Sequence, residues 1–131
     1  MMSAKVRRLW CAALLLSVCA GCPLFGETGH AVTQTGIAVY YSDKMDGRAV
    51  SMKGEKYDKN ALTAATHRRY PLGSMVRVTN LTNHKSVKVK VNDRMNSGSK
   101  AVIDLSRKAA EEIDMIKSGH ARVKLELVQT K

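Results

Sequence analysis

The stretch MVRVTNLTNHKSVKVKVNDR, residues 75–94, alternates apolar and polar residues on both sides of a short polar segment. A period of two is typical of β-strands that bury one face, and the polar residues 82–85 are enough to close a hairpin. The three valines of VKVKV share one face of their strand, and its two lysines share the other. The stretch therefore predicts two antiparallel strands.

More strand signals lie on both sides of this hairpin. They are rich in β-branched, aromatic or alternating apolar residues: TGIAVYYS at 35–42, AVIDLS at 101–106 and HARVKLELVQ at 120–129. Between the last two, RKAAEEIDMIK at 107–117 carries a helical apolar stripe, with Ser106 as its predicted N-cap and Gly119 as its end. Many short strands with one helix predict a mainly β fold, a small closed barrel, because closure leaves no exposed strand edge.

The regions between these elements carry weaker patterns. Residues 43–60 mix Gly, Lys and Asp without a period, which predicts a loop with at most a short strand at 48–52. Residues 61–74, ALTAATHRRYPLGS, pass from small apolar residues into a basic turn punctuated by Pro71 and Gly73. Residues 22–34 have no period and predict a tether, which leaves 35–131 as the single domain.

Residues 1–21 have the composition of an export signal. Lys5, Arg7 and Arg8 precede the short apolar run LWCAALLLSV, which falls short of the roughly 20 residues that span a bilayer. VCAGC resembles the processing box of bacterial lipoproteins, in which the cysteine after Ala-Gly is lipidated. We therefore expect Cys22 to be lipidated, and ordinary signal-peptidase cleavage nearby is the alternative.

Export, charge and cysteine count together limit the partners. Cys11 and Cys19 leave with the signal, so the mature chain keeps one thiol and can form neither an intrachain disulfide nor a cysteine metal site. Three of the 22 basic residues leave too, and the remaining 19 against 11 acidic residues give a net charge of +8. Such a chain is drawn to polyanions such as anionic lipids or the cell wall, while export argues against nucleic acid.

Carboxylates and histidines are the reactive groups left in the predicted domain. The candidates are Glu55, Asp58, Asp93, Asp104, His67 and His84. Asp93 ends a strand whose valine face would bring it near the core, where a raised pKa would suit a general acid. From spacing alone, a structural carboxylate that caps the next loop or pairs with Arg94 is favoured.

Four other side chains have plain structural interpretations beside functional ones. Asp104 lies inside an apolar strand, where satisfying buried backbone donors is the favoured role. His84 lies in the hairpin turn and is expected to be solvated. Tyr40 and Tyr41 could stack on a sugar, although half-buried packing is the commoner role of strand tyrosines.

Five segments, in order and spacing, resemble the rare lipoprotein A (RlpA-like) family: TGIAVYY, GEKYD, NALTAATHRRYPLGSMVRVTNL, VKVNDR and VIDLSRKAA. The resemblance runs from Thr35 to Val128. It implies a six-stranded double-psi β-barrel with one short helix. It also implies a lytic transglycosylase that cleaves peptidoglycan between N-acetylmuramic acid and N-acetylglucosamine and leaves a 1,6-anhydro end. The alternative is a lipoprotein that binds peptidoglycan without cutting it.

The resemblance also assigns roles to individual residues. Asp93 in VNDR would act as acid and then base, while His67 and Glu55 would orient the sugar or stabilise developing positive charge. The substrate-binding residues it suggests are Tyr40, Tyr41 and Arg94. This chemistry needs no metal or cofactor.

The chain departs from the family pattern beside the proposed acid. The usual NDRGP is NDRMN here, so Met95 and Asn96 replace a rigid Gly-Pro turn, and Tyr40 stands where a tryptophan is expected. The expected context is a monomeric lipoprotein, exported to the periplasm or cell envelope and anchored to a bacterial membrane by its N-terminal lipid. Its expected partner is the glycan strand of peptidoglycan.

Overall fold

The computed structural model describes residues 32–129, which form a closed barrel of six strands with one short α-helix. The signal, Cys22 and nearly all of the tether lie outside the described residues. The strands and helix are β1 (Thr33–Tyr40), β2 (Thr63–Thr66), β3 (Met75–Asn80), β4 (Ser86–Arg94), β5 (Ile103–Leu105), α1 (Arg107–Glu112) and β6 (Ala121–Gln129). Within this part of the chain no helix is long and apolar enough to cross a membrane. The predicted mainly β barrel with one helix is confirmed.

The opening stretch forms the hairpin that its alternation predicts. β3 and β4 pair antiparallel, with Val76 opposite Val89 and Val78 opposite Val87. All four valines are buried in the main core. β6 then pairs with both β3 and β1, which closes the sheet on itself.

The order of strands around the barrel is β1-β5-β2-β4-β3-β6. β2 is a strand that the sequence pattern did not predict, because TAAT is short, does not alternate and has two alanines, which are depleted in strands. It is buried throughout and pairs parallel with β4 and antiparallel with β5. Hydrogen bonding on both sides overrides its weak intrinsic preference.

The helix is shorter than its apolar stripe predicts. Ser106 is the N-cap, as predicted, and its Oγ accepts a hydrogen bond from the backbone N–H of Ala109. The helix ends at Glu112, and Asp114 then adopts a left-handed φ of 56°. The N–H of Met115 donates back to the carbonyl of Ala110 at 3.1 Å, which is a Schellman bond that turns the chain. The prediction that Gly119 ends the helix is therefore wrong, because an aspartate takes the left-handed position earlier.

Two boundaries differ from the predictions. β1 begins at Thr33, opposite Glu126, so the last residues of the predicted tether belong to the barrel. The possible strand at 48–52 is only an isolated bridge between Ala49 and Lys56. The loop that contains this bridge folds over the outside of the barrel and forms a second, smaller apolar cluster there. Its members are Tyr41, Tyr57 and Ala65, with Met45, Val50 and Met95 packed against them.

Candidate functional site

Two aspartates lie on either side of one alanine on the outer face of the barrel wall. Ala65 of β2 is in register with Asp93 of β4 and with Asp104 of β5. Asp104 is also in register with Val39 of β1. Neighbouring strands are about 4.8 Å apart, so the backbones that carry the two carboxylates are about 10 Å apart.

A β-bulge decides which face Asp93 occupies. Val91 is in register with Ala64, and the next aligned pair is Asp93 with Ala65, so Asn92 is the extra residue. Without that shift, strict alternation would put Asp93 on the buried face with the valines. The sequence-based interpretation that the valine face carries Asp93 toward the core is therefore wrong. The bulge turns the carboxylate outward, beside Ala65.

The aligned residues Asp93, Ala65 and Asp104 lie in a groove of about 290 Å³. Its floor is the barrel wall at Val39, Asp104, Ala65 and Asp93. Arg94 at the end of β4 and residues of the loops after β1 and β4 complete the lining: Tyr41, Met45, Met95, Asn96 and Ser99. Met95 and Asn96, which replace the Gly-Pro of the related pattern, thus lie in the groove itself.

Asp93 is held by donors to both of its carboxylate oxygens. Oδ2 accepts from the hydroxyl of Tyr41 at 2.6 Å. Oδ1 accepts from the N–H and hydroxyl of Ser51, at 2.9 and 2.7 Å, and from the N–H of Arg94 at 2.8 Å. Burial works to raise the pKa of Asp93, but these hydrogen bonds outweigh it and hold the pKa below its ordinary value. The raised pKa suggested by the sequence is wrong, and Asp93 is a carboxylate at neutral pH.

Tyr40 and Tyr41 have different surroundings although they are adjacent. The Tyr41 ring packs on Tyr57 at a centroid distance of 4.4 Å, and burial together with the bond to Asp93 raises the pKa of its hydroxyl. Tyr40 packs against the main core and donates its hydroxyl to the carbonyl of Ile116 at 3.3 Å. Of the two proposed sugar platforms, only Tyr41 reaches the groove, and it does so as a donor to Asp93.

Asp104 has the opposite environment to Asp93. Its Oδ1 is buried and has no hydrogen-bond partner among residues 32–129. Burial, and after it the negative charge of Asp93, raises the pKa of Asp104 to about 6. The interpretation that Asp104 satisfies buried backbone donors does not hold for this oxygen.

Arg94 and His67 belong to an adjoining cavity. Nη1 of Arg94 donates to the carbonyls of Tyr70 and His67, at 2.7 and 3.1 Å, so its guanidinium braces the turn after β2. Nε2 of His67 lies 3.1 Å from the carbonyl of Ala101, which fits a protonated Nε2. Together with Arg68, Met95 and Ser97, these residues line about 420 Å³ beside the groove. The cavity that contains Arg68, Arg94 and His67 therefore lies next to Asp93. His67 does not line the groove that contains Asp93.

Glu55 lies apart from the groove. Its carboxylate accepts from Nζ of Lys90 at 2.6 Å and from Nδ2 of Asn92 at 3.2 Å. These bonds attach the loop that carries Ser51 to β4, close to the bulge. The three residues that the resemblance marks as catalytic are thus spread over three environments, and only Asp93 lines the groove.

Sequence reasoning missed Ser51 and gave Asp104 a structural role. Ser51 had no local signal, because it lies in an aperiodic loop 42 positions before the carboxylate it contacts. For Asp104 the signal was a carboxylate inside an apolar strand. Within the part of the chain that the structure describes, no three His, Cys, Asp or Glu side chains are grouped to hold a metal ion.

A larger depression, of about 470 Å³, shares no lining residue with the groove. It lies beside the hairpin turn and includes Asn80, Asn83 and His120. Its one carboxylate, Asp114, is exposed and pairs with Lys85 at 3.7 Å. It is larger than the groove, but its carboxylate is exposed rather than buried.

A family model described as lytic transglycolase, a double-psi β-barrel family, matches residues 33–125. The endolytic peptidoglycan transglycosylase RlpA of Pseudomonas aeruginosa (strain UCBPP-PA14) is 49% identical over 97 residues, or 74% of this chain and 28% of that protein. The protein of the same name from Campylobacter jejuni is 47% identical over 96 residues, or 73% of this chain and 34% of its own length. The chain thus spans about a third of these curated relatives.

Two solved structures share the fold. The Streptomyces papain inhibitor superposes with a TM-score of 0.59 at 24% identity, over 75% of this chain and 96% of that one. A mutant expansin of Clavibacter michiganensis in complex with cellohexaose gives 0.56 at 17% identity, over 76% of this chain and 51% of that one. At these identities the likeness concerns the barrel alone.

Proposed function

We propose that this chain, which belongs to the lytic transglycolase family, cleaves the glycan strands of peptidoglycan in the groove that contains Asp93. The proposed reaction is endolytic and breaks the bond between N-acetylmuramic acid and N-acetylglucosamine. The C6 hydroxyl of the muramic acid attacks its own C1 in place of water, which leaves a 1,6-anhydro end. The observation that carries the proposal is an ionised, firmly held carboxylate in an open groove on the barrel wall.

The environment of Asp93 supports the role of proton acceptor. An intramolecular attack needs a group to take the proton of the C6 hydroxyl, but no group to activate water, which distinguishes it from a hydrolase. Asp93 is ionised and held by Tyr41, Ser51 and Arg94. A carboxylate fixed in one position accepts a proton efficiently, because no reorientation is needed when the hydroxyl arrives.

The charge of the chain supports an anionic polymer as substrate. The basic residues Arg68 and Arg94 and the imidazole of His67 line the cavity beside the groove. The positive charge of Arg68 also lowers the pKa of Arg94, after burial. Neighbouring guanidinium groups favour a carboxylate-bearing partner, and muramic acid carries a carboxyl group on its lactyl ether.

Incubation of purified sacculi with the whole chain in mild detergent tests the proposal. Mass spectrometry of the released fragments is expected to show 1,6-anhydro ends. Asp93→Asn keeps the shape of the side chain but removes the base, and release should fall by about 10²- to 10⁴-fold. Asp114→Asn is the matched control, because Asp114 is an exposed aspartate outside the groove. This variant should cut sacculi at the rate of the original chain. Hydrolytic ends, or no release by the original chain, would reject the proposal.

Binding without cleavage is a second candidate, and one observation favours it. The depressed pKa of Asp93 leaves it without a proton to give to a leaving oxygen, so Asp93 alone cannot complete the reaction from this state. The same incubation distinguishes the two functions. Co-sedimentation with sacculi, without anhydro ends at any pH from 4 to 8, would identify a binder.

We also propose that the chain is an exported lipoprotein, held at a bacterial membrane by a lipid on Cys22. The support is the basic start, the short apolar run and the VCAGC box. Cys22→Ser should stop lipidation, and the chain should then leave the membrane fraction. Unchanged mass and unchanged membrane partition in that variant would reject the anchor.

A further inference from the structure

We propose that Asp104 is a second catalytic residue of this groove, the acid that protonates the leaving glycosidic oxygen, while Asp93 acts only as the base. The proposal rests on the proposed transglycosylase function. The resemblance assigns both proton transfers to Asp93 alone. This proposal assigns one transfer to each of the two carboxyl groups.

The first support is the position of the two side chains. Asp93 and Asp104 are in register with the same residue, Ala65, from opposite sides, so both face the groove. Their backbones are two strand spacings, about 10 Å, apart. The methyl group of Ala65 between them leaves the floor low. A sugar ring and its glycosidic bond fit between two carboxyl groups placed in this way, as they do in glycosidases that use separate acids and bases.

The second support is the unpartnered oxygen. Buried polar atoms in native proteins nearly always have a hydrogen-bond partner, and exceptions concentrate at functional sites. Asp104 lines the groove, yet its Oδ1 is buried and has no partner within residues 32–129. A glycosidic oxygen that accepts a proton from this carboxyl group would supply the missing partner. Asp93, with four donors, has no such need.

The third support is the charge around the pair. The ionisable groups facing Asp104 are Asp93, whose charge raises its pKa, and the hydroxyls of Tyr41 and Tyr57, which remain neutral. Arg94 also lines the groove, but its cation interacts with Asp93. Burial and Asp93 together bring the pKa of Asp104 to about 6, while that of Asp93 is lowered. Two carboxyl groups whose pKa values are pushed apart are suited to be acid and base.

The proposed step is balanced. The bond between C1 of muramic acid and the bridging oxygen breaks, and that oxygen takes the proton of the Asp104 carboxyl group. The C6 oxygen forms a new bond to C1, and its proton passes to the Asp93 carboxylate. After product release, Asp93 gives a proton to solvent and Asp104 regains one, so no oxidant or co-reactant is needed.

A substrate that needs no acid tests this division. The 4-nitrophenyl glycoside of the N-acetylglucosamine–N-acetylmuramic acid disaccharide has a leaving group that departs without protonation, and it keeps the C6 hydroxyl. With the whole chain, Asp104→Asn should release anhydro fragments from sacculi at least about 100-fold more slowly. It should cleave the aryl glycoside within about fivefold of the original chain. Asp93→Asn should lose both activities, and Asp114→Asn neither.

The original chain provides a measurement that does not depend on a variant folding. On sacculi, kcat/KM should fall as pH rises through about 6, because Asp104 loses its proton. On the aryl glycoside this alkaline limb should disappear.

The possible failures are distinguishable. If the original chain makes no anhydro product from either substrate, the proposed function itself fails, and this inference fails with it. If sacculi are cut but Asp104→Asn cuts them within threefold of the original rate, only the inference fails. An equal loss on both substrates, or the same alkaline limb on both, would show a structural role and overturn the acid.

Discussion

Asp93 and Asp104 occupy equivalent places on either side of Ala65, yet their environments are opposite. Asp93 receives four hydrogen bonds, three of them from a loop and a tyrosine that pack over the barrel. Asp104 has a buried oxygen with no partner among residues 32–129, and burial is the main cause of its raised pKa. Because both residues lie on strands of the same wall, the ionisation of each carboxyl group depends on the hydrogen-bond donors that reach it.

The largest expected effect is an opposite change in stability when each aspartate becomes asparagine. The pKa of Asp93 is depressed in the folded state, so its charge stabilises the fold above the unfolded pKa, and this contribution is lost as pH falls. Asp93→Asn should therefore lower the free energy of unfolding by about 2 kcal/mol at pH 7, through lost charge-assisted hydrogen bonds. The deficit should shrink toward pH 3.

Substitution of Asp104 by asparagine should change the free energy of unfolding in the opposite direction. Its folded pKa of about 6 lies above the unfolded value, so its ionisation destabilises the fold as pH rises through this range. Asp104→Asn should raise the free energy of unfolding by roughly 1–2 kcal/mol at pH 8, allowing for partial solvent screening, and by little at pH 4. Urea titrations of both variants across pH measure this. Stability changes of the same sign would contradict the comparison.

A smaller effect is expected from removing one donor to Asp93. Tyr41→Phe deletes the 2.6 Å hydrogen bond to Oδ2 but keeps the ring on Tyr57. The free energy of unfolding should fall by about 1 kcal/mol. The pKa of Asp93 should rise, so the acid limb of kcat/KM should move to higher pH. Tyr40→Phe is the matched control, because its hydroxyl contacts Ile116 outside the groove. An unmoved acid limb in Tyr41→Phe would show that Asp93 is not the base.

The smallest effect is expected at Glu55. Glu55→Gln weakens a partly exposed ion pair with Lys90 but can still accept from Asn92. Because such pairs contribute little, the free energy of unfolding should change by less than about 1 kcal/mol. Activity on sacculi should fall less than about fivefold, through looser placement of Ser51. A loss above 100-fold in a stable variant would instead give Glu55 the catalytic role that the resemblance implies.

Local pattern was sufficient for most of the barrel. Strict alternation predicted the β3–β4 hairpin, and a serine before an apolar stripe predicted the start of α1, because both signals depend on residues close in sequence. β2 was missed because its strand character comes from neighbours on both sides. The end of α1 was missed because Asp114, without a sequence signal, takes a conformation usual for glycine.

The alternating pattern alone predicts a carboxylate at the end of the valine strand and a closed barrel. The direction in which that carboxylate points and its ionisation depend on tertiary contacts. The bulge at Asn92 turns Asp93 outward, and donors 52 and 42 positions earlier, Tyr41 and Ser51, keep it ionised. The pairing of β2 with β5 brings Asp104 into the groove, where its Oδ1 has no partner among residues 32–129. The reason is physical: a pKa depends on solvent and on donors in space, and residues far apart in the sequence supply both.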